Sequence, residues 1–150
     1  MKMNVKGNDN FRTPNKLFNQ LNSIFNFTLD VACTTNDCKC LRGIYYDKGF
    51  NSLEYDWKGE RCFCNPPFSK KKEFIEKADY EVQIGGCPVV VMVLPSNCMD
   101  SAVFQKVIKK KYFYEVLSGR VAFIHPETGL PMKGNNSGTV IVYFKKDIER

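Results

Sequence analysis

Histidine is almost absent from this chain: His125 stands alone among 150 residues. A zinc centre would have to be built from thiolates, and the cysteines do not offer the usual spacing. There are seven, Cys33, Cys38, Cys40, Cys62, Cys64, Cys87 and Cys98, with no C-x-x-C among them. The close pairs Cys38-x-Cys40 and Cys62-x-Cys64 are poor tetrahedral chelates, and an odd count argues against a disulfide framework. Reduced, mostly buried thiols and no metal are expected. Also missing is any run near the roughly 18 apolar residues of a membrane span. The opening MKMNVKGNDNF is too polar for a secretory signal. A soluble, cytoplasmic chain with no membrane partner is therefore expected. Repeats and low-complexity tracts are absent as well.

What is present fits a single domain, residues 1–150, with an ordinary core, since 43% of residues are hydrophobic. The net charge is +6, and the lysines clump at Lys70-Lys71-Lys72 and between Lys106 and Lys111. Such clumps suit a polyanionic partner, although solvated helix faces carry them too.

Thr13-Pro14 reads as a hydroxyl cap followed by proline at the first helical position, and Leu17, Phe18, Leu21, Ile24 and Phe25 recur at helical spacing. A helix over 14–25 follows. NFTLDVAC reads as a buried strand ending near Asp30 to Cys33. Residues 41–60, broken by Gly43, Gly49 and Gly59, read as loop with one short strand at 44–46. Phe74, Ile75, Ala78 and Val82 define a helix that Gly85-Gly86 ends. The run PVVVMVLP is continuous and apolar, as a strand covered on both faces must be. A helix over 98–110 and strands at 112–117, 120–124 and 139–144 complete the chain. The expected fold is a three-layer α/β sheet, mostly parallel, with an antiparallel C-terminal edge.

RCFCNPPFSKKKEF, residues 61–74, carries the chemistry. Two prolines cannot continue a sheet interior, so the strand stops at Asn65, and in open α/β sheets ligands gather outside the carboxyl ends of strands. A nucleobase amino group is a poor nucleophile because its lone pair is delocalised into the ring. Hydrogen-bond acceptors that pull on its two protons favour a pyramidal, reactive nitrogen. The Asn65 side-chain oxygen and the Pro66 carbonyl are two such acceptors, held rigid by Pro66 and Pro67. Phe68 offers an apolar face for a flipped-out base, and Ser69, Lys70, Lys71 and Lys72 would lie beside the phosphate backbone. The plainer alternative is a strand-to-helix turn in which Asn65 caps the next helix.

The chain resembles the phage Dam-type family of S-adenosylmethionine-dependent DNA N6-adenine methyltransferases. The resemblance rests on RTPNKLFNQLNSIFNFTLDVACTTNDCKC, NSLEYDWKGERCFCNPPFS, FIEKADYEVQIGG, VVMVLPSNCMDSAVF and GRVAF, in the family's order. It implies a Rossmann-like methyltransferase fold, S-adenosyl-L-methionine as cofactor and double-stranded DNA as partner, with oligomeric state open. Asn65, Pro66, Pro67 and Phe68 are the implied catalytic loop. The implied cofactor residues are Thr13 and Pro14, the strand-end segment Asp30, Val31, Ala32 and Cys33, and Asn51, Ser52 and Leu53. At Asn51 the family often has aspartate, and Thr34-Thr35-Asn36 replaces the glycine-rich turn of larger methyltransferases. Asp37 and Asp47 both remain candidates for the cofactor ribose. Asp100 and Phe104 follow a strand end as a similar pair does in the family, with a simple helix cap the alternative for Asp100, and Arg120 is a candidate for phosphate or a base edge or else a surface arginine. The motif alone also suits a cytosine N4 or RNA methyltransferase, and the Asn51 departure leaves room for a non-catalytic DNA-binding module.

Overall fold

The computed structural model describes residues 11–119, 121–131 and 138–146. Arg120, expected at phosphate or a base edge, lies outside them, as does 132–137 of the C-terminal loop. Six strands form one sheet: β1 (Leu29–Cys33), β2 (Gly43–Tyr45), β3 (Arg61–Cys64), β4 (Val89–Pro95), β5 (Phe113–Val116) and β6 (Thr139–Phe144), in the order β2-β1-β3-β4-β6-β5. The first four run parallel. β6 is antiparallel to both of its neighbours.

The sheet is thus mixed and mostly parallel, as expected, with one correction. The antiparallel strand is β6, one place in from the edge, while the edge strand β5 points the same way as β4. The apolar sequence explains this: Val140, Ile141, Val142 and Phe144 are buried, as an interior strand requires, whereas three of the four residues of β5 are exposed.

Helices cover both faces. On one, α2 (Lys71–Gln83) sets Phe74, Ile75, Ala78 and Val82 against Val90, Met92 and Leu94 of β4, joined by Phe104 and Ile108. On the other, α1 (Asn15–Phe25) sets Phe18 and Leu21 against Phe63, Val89, Val91, Val93 and Ile141. Strict alternation along β4 sends successive residues to opposite faces, so its whole apolar run is used. α1 stops where Asn26 adopts a left-handed conformation and returns its N–H to the Asn22 carbonyl. α2 stops where Gly86, at φ +84°, turns the Cys87 N–H back onto the Glu81 carbonyl.

Three expectations change. Pro14, not Thr13, is the N-cap of α1, with no side-chain cap bond. The helix expected over 98–110 is a short 3-10 turn at Ser96–Cys98 and then a π-helical segment, Phe104–Ile108. Residues 121–124 make no strand; Ile124 forms single bridges to Arg12 and Pro131 instead. That exchange of bonds, Arg12 N–H to Ile124 O and Ile124 N–H to Arg12 O at 2.9 Å each, fixes the 11–13 segment above the strand ends. The 41–60 region is anchored by Trp57, fully buried, whose backbone N–H is held by the Glu81 carboxylate at 2.6 Å. Among the described residues no helix is long and apolar enough to cross a membrane.

Candidate active site

Parallel pairing of β1 and β3, with Leu29 opposite Cys62 and Asp30 opposite Phe63, brings their carboxyl ends together. A narrow cleft opens there. Asp30, Ala32, Thr34, Asp37, Lys39 and Tyr46 line one side, Phe63 and Asn65 the other, and Phe11, Arg12 and Thr13 close over it.

Asp30 is the buried titratable group of this cleft. It is 2% exposed, with Oδ1 accepting from the Ala32 N–H at 3.1 Å and Oδ2 from the Lys39 N–H at 3.0 Å. Burial pushes its carboxyl up to about 7, against the opposing pull of the two amides and of the Lys39 charge. A buried carboxylate this poorly compensated invites a cation. Thr13 supplies a second unmet demand: its side chain is buried, lines the cleft, and its hydroxyl has no hydrogen-bond partner. Because it does not cap α1, that hydroxyl is free to meet a ligand.

Asn65 sits at the end of β3 with its amide oriented. Nδ2 donates to the Phe11 carbonyl at 3.0 Å, which turns Oδ1 away as an acceptor. It does not cap α2, whose N-cap is Lys70. Pro66 and Pro67 are buried, so the loop cannot drift. Phe68 is half-buried, meeting the Phe11 ring edge-to-face at 6.0 Å between centroids. The Lys71 ammonium lies 5.1 Å from the Phe68 centroid and donates to the Phe68 carbonyl.

A second, open cleft borders the same turn. Phe68, Ser69, Lys71 and Lys72 line it with Asn97 and Ser101 from the loop after β4. Lys72 is exposed there, while Lys70 pairs with Glu73 at 3.7 Å. The Asn65–Phe68 turn therefore borders two clefts, Asn65 lining the first and Phe68 the second.

Other expected residues lie elsewhere. Val31 faces the core and Cys33 packs beside Gly43 of β2, so within 30–33 only Asp30 and Ala32 line the cleft. Pro14 is half-buried at the head of α1. Asn51 caps the turn Ser52–Glu54 through the Leu53 N–H at 3.0 Å, and Ser52 and Leu53 pack away from the cleft. Of the two ribose candidates, Asp37 lines the cleft, while Asp47 is held by the Thr35 N–H and hydroxyl. Asp100 is exposed; Ser101, not Asp100, receives the Phe104 N–H, and Phe104 is core. Sequence reasoning missed Phe11, Lys39 and Tyr46. Phe11 acts through its backbone carbonyl, for which residue type gives no signal.

A family model described as DNA N-6-adenine-methyltransferase (Dam) matches residues 1–150. The DNA N-6-adenine-methyltransferase of Haemophilus phage HP1 is 28% identical over 148 residues, spanning 96% of this chain and 84% of that protein. That of Escherichia phage T1 is 25% identical over 157 residues, spanning 92% of this chain and 63% of the T1 protein. With the match running the full length, the chain belongs to the DNA N-6-adenine-methyltransferase (Dam) family.

Proposed function

We propose that the chain methylates the N6 amino group of an adenine flipped out of double-stranded DNA, with Asn65 and Pro66 as acceptors for the amino protons. The observation that carries this reading is the Asn65 amide, pinned by the Phe11 carbonyl so that its oxygen stays available. An acceptor oriented before substrate arrives costs no reorganisation during reaction. Phe68 and the Asn97–Ser101 loop bound the space for the extruded base, and Lys72 lies where the phosphate backbone would pass.

The cofactor belongs in the other cleft. S-adenosylmethionine, when bound, supplies an electrophilic methyl carbon on a sulfonium, so no covalent enzyme intermediate is required. The residues suit it chemically: Asp30 for the α-ammonium, the Thr13 hydroxyl for a polar group of the amino-acid part, Asp37 for ribose hydroxyls. Phe11, Arg12 and Thr13 close over the cleft, so admitting the cofactor would require this segment to move outward. Its return restores the Phe11 bond to Asn65, which links cofactor capture to orientation of the acceptor. Asn51, Ser52 and Leu53 remain the family-derived candidates for the adenine end. The layered sheet with helices on both faces suits a Rossmann-like methyltransferase fold.

The deciding experiment transfers a labelled methyl from S-adenosylmethionine to unmethylated DNA, followed by nucleoside digestion and mass spectrometry. N6-methyladenine is expected; N4-methylcytosine, or label appearing only in RNA of matched sequence, overturns the acceptor assignment.

Phe68→Ala tests the base-binding side. Base–aromatic stacking contributes roughly 1–3 kcal/mol. Loss of kcat/KM on DNA by about 5- to 150-fold is expected, with S-adenosylmethionine affinity changed by less than about threefold. Steady-state kinetics beside cofactor calorimetry separate the two effects.

A further inference from the structure

The cysteines pair in a way their sequence spacing conceals. Thr34 and Asp37 face each other across a two-residue turn, the Asp37 N–H donating to the Thr34 carbonyl at 3.1 Å. Cys33 and Cys38 are consequently the next cross-strand pair, whose side chains approach closely on one side. Asp30 joins them from β1: one carboxylate oxygen and the two sulfurs all lie within 4.8 Å of one another. Gly43 of β2 makes the space for this. A Cβ placed on it would stand 2.2 Å from Cys38 Sγ and 2.4 Å from Cys33 Sγ, so any other residue would expel one of the thiols.

We propose that Cys33, Cys38 and Asp30 form a binding site for a thiophilic divalent cation of the zinc type, set against the floor of the cofactor cleft. Two thiolates and a carboxylate give three protein ligands and leave a fourth position for solvent, a donor set that zinc accepts. Tetrahedral bonds of about 2.0–2.3 Å require ligand atoms roughly 3.3–3.8 Å apart, so inward shifts of about 1 Å or less complete the site. Each thiol gives up its proton on ligation. The bonds they forgo are weak, Cys33 S–H to the Ile44 carbonyl at 3.6 Å and Cys38 S–H to the Cys40 carbonyl at 3.3 Å. The Lys39 ammonium, which also acts on Asp30, is paired with Asp37 at 2.9 Å, so its repulsion of a cation is offset in part.

The cation and the cofactor ammonium would both use Asp30, so each excludes the other. This consequence rests on the cofactor placement proposed above; the site itself does not.

The test titrates cobalt(II), as a spectroscopic substitute for zinc, into reduced, chelator-treated full-length protein. The expected result is one equivalent bound with thiolate-to-cobalt charge-transfer and tetrahedral ligand-field bands, displaced by zinc, lost in Cys38→Ser and retained in Cys98→Ser. Absence of thiolate bands in the native chain at cobalt up to about 0.1 mM, a bound state weaker than about −5.5 kcal/mol, overturns the site. Bands of full intensity in Cys38→Ser overturn it equally. S-adenosylmethionine is then titrated into zinc-loaded and zinc-free protein, with at least a tenfold weaker affinity expected in the loaded form. Equal affinities overturn the exclusion, whereas no binding in either form overturns the cofactor placement and leaves the metal result standing.

Discussion

Replacing Asn65 by alanine is expected to lower methyl transfer by about 10²–10³-fold or more, the loss typical when one preorganised polar group at a reacting centre is removed. Cofactor affinity should stay within a few fold, since Asn65 borders the cleft without supplying its charge. Two consequences of the substitution must be kept apart. The alanine removes the acceptor for the adenine amino proton, and it leaves the Phe11 carbonyl without the donor it now has at 3.0 Å. The second effect is a stability term of roughly 1 kcal/mol, or a drop of about 2–4 °C in Tm. Asn65→Asp separates them further. An aspartate retains an acceptor oxygen but cannot donate to Phe11, so it should bind cofactor, melt near the alanine variant and turn over slowly because its orientation is no longer fixed. Single-turnover rates on DNA with saturating S-adenosylmethionine, read beside calorimetric cofactor affinity, provide the check; an alanine variant within threefold of the parent in rate would remove Asn65 from the chemistry.

Elements with strong local patterns were legible in the sequence. The PVVVMVLP run becomes β4, the Phe74-Ile75-Ala78-Val82 face becomes the buried side of α2, and the Asn-Pro-Pro-Phe strand end borders two clefts. What stayed hidden depends on partners distant in the chain. Nothing local to TVIVYF states that it inserts between β4 and β5, because the order of a sheet is fixed by which faces are covered. Thr13-Pro14 has the form of a cap and first helical residue. Pro14, however, takes ψ 141°, which is extended, so the helix starts one residue later and the threonine hydroxyl goes to the cleft. The cleft residues legible in the sequence, Asp30 and Asn65 among them, have side chains of diagnostic type, whereas Phe11 meets Asn65 through its backbone carbonyl. Cys33 and Cys38 escaped for a related reason: their proximity is made by a turn between them and a glycine ten residues further on, not by a spacing motif.

Asp30 should make cofactor binding depend on pH in a way that identifies it. In the unfolded chain its carboxyl titrates near 3.8, and in the fold burial holds it at about 7. The native state therefore keeps a proton that the unfolded chain has lost between these values. Its contribution to stability is full below about 4 and is lost as pH rises through 7, a swing of order 4 kcal/mol at 1.36 kcal/mol per pKa unit. A cationic ligand group beside the carboxylate reverses that preference. Binding then releases a proton at pH 7 and below, and the dissociation constant for S-adenosylmethionine should rise about tenfold for each unit of pH below 7. Above about 8 the α-amino group of the cofactor loses its own charge, so affinity falls again and the profile is a bell centred between these limits. Asp30→Asn keeps one oxygen for the Ala32 or Lys39 amide but carries no charge. It should flatten the acid limb and weaken binding at pH 7.5 by roughly 2–4 kcal/mol, about 30- to 1000-fold. Calorimetry in buffers of different ionisation enthalpy counts the released proton directly, near half a proton per cofactor at pH 7 for the parent and none for the variant. A parent whose affinity is level from pH 5.5 to 7.5 would place the ammonium elsewhere and leave the buried carboxylate of β1 a purely structural group tying the 32 and 39 amides together.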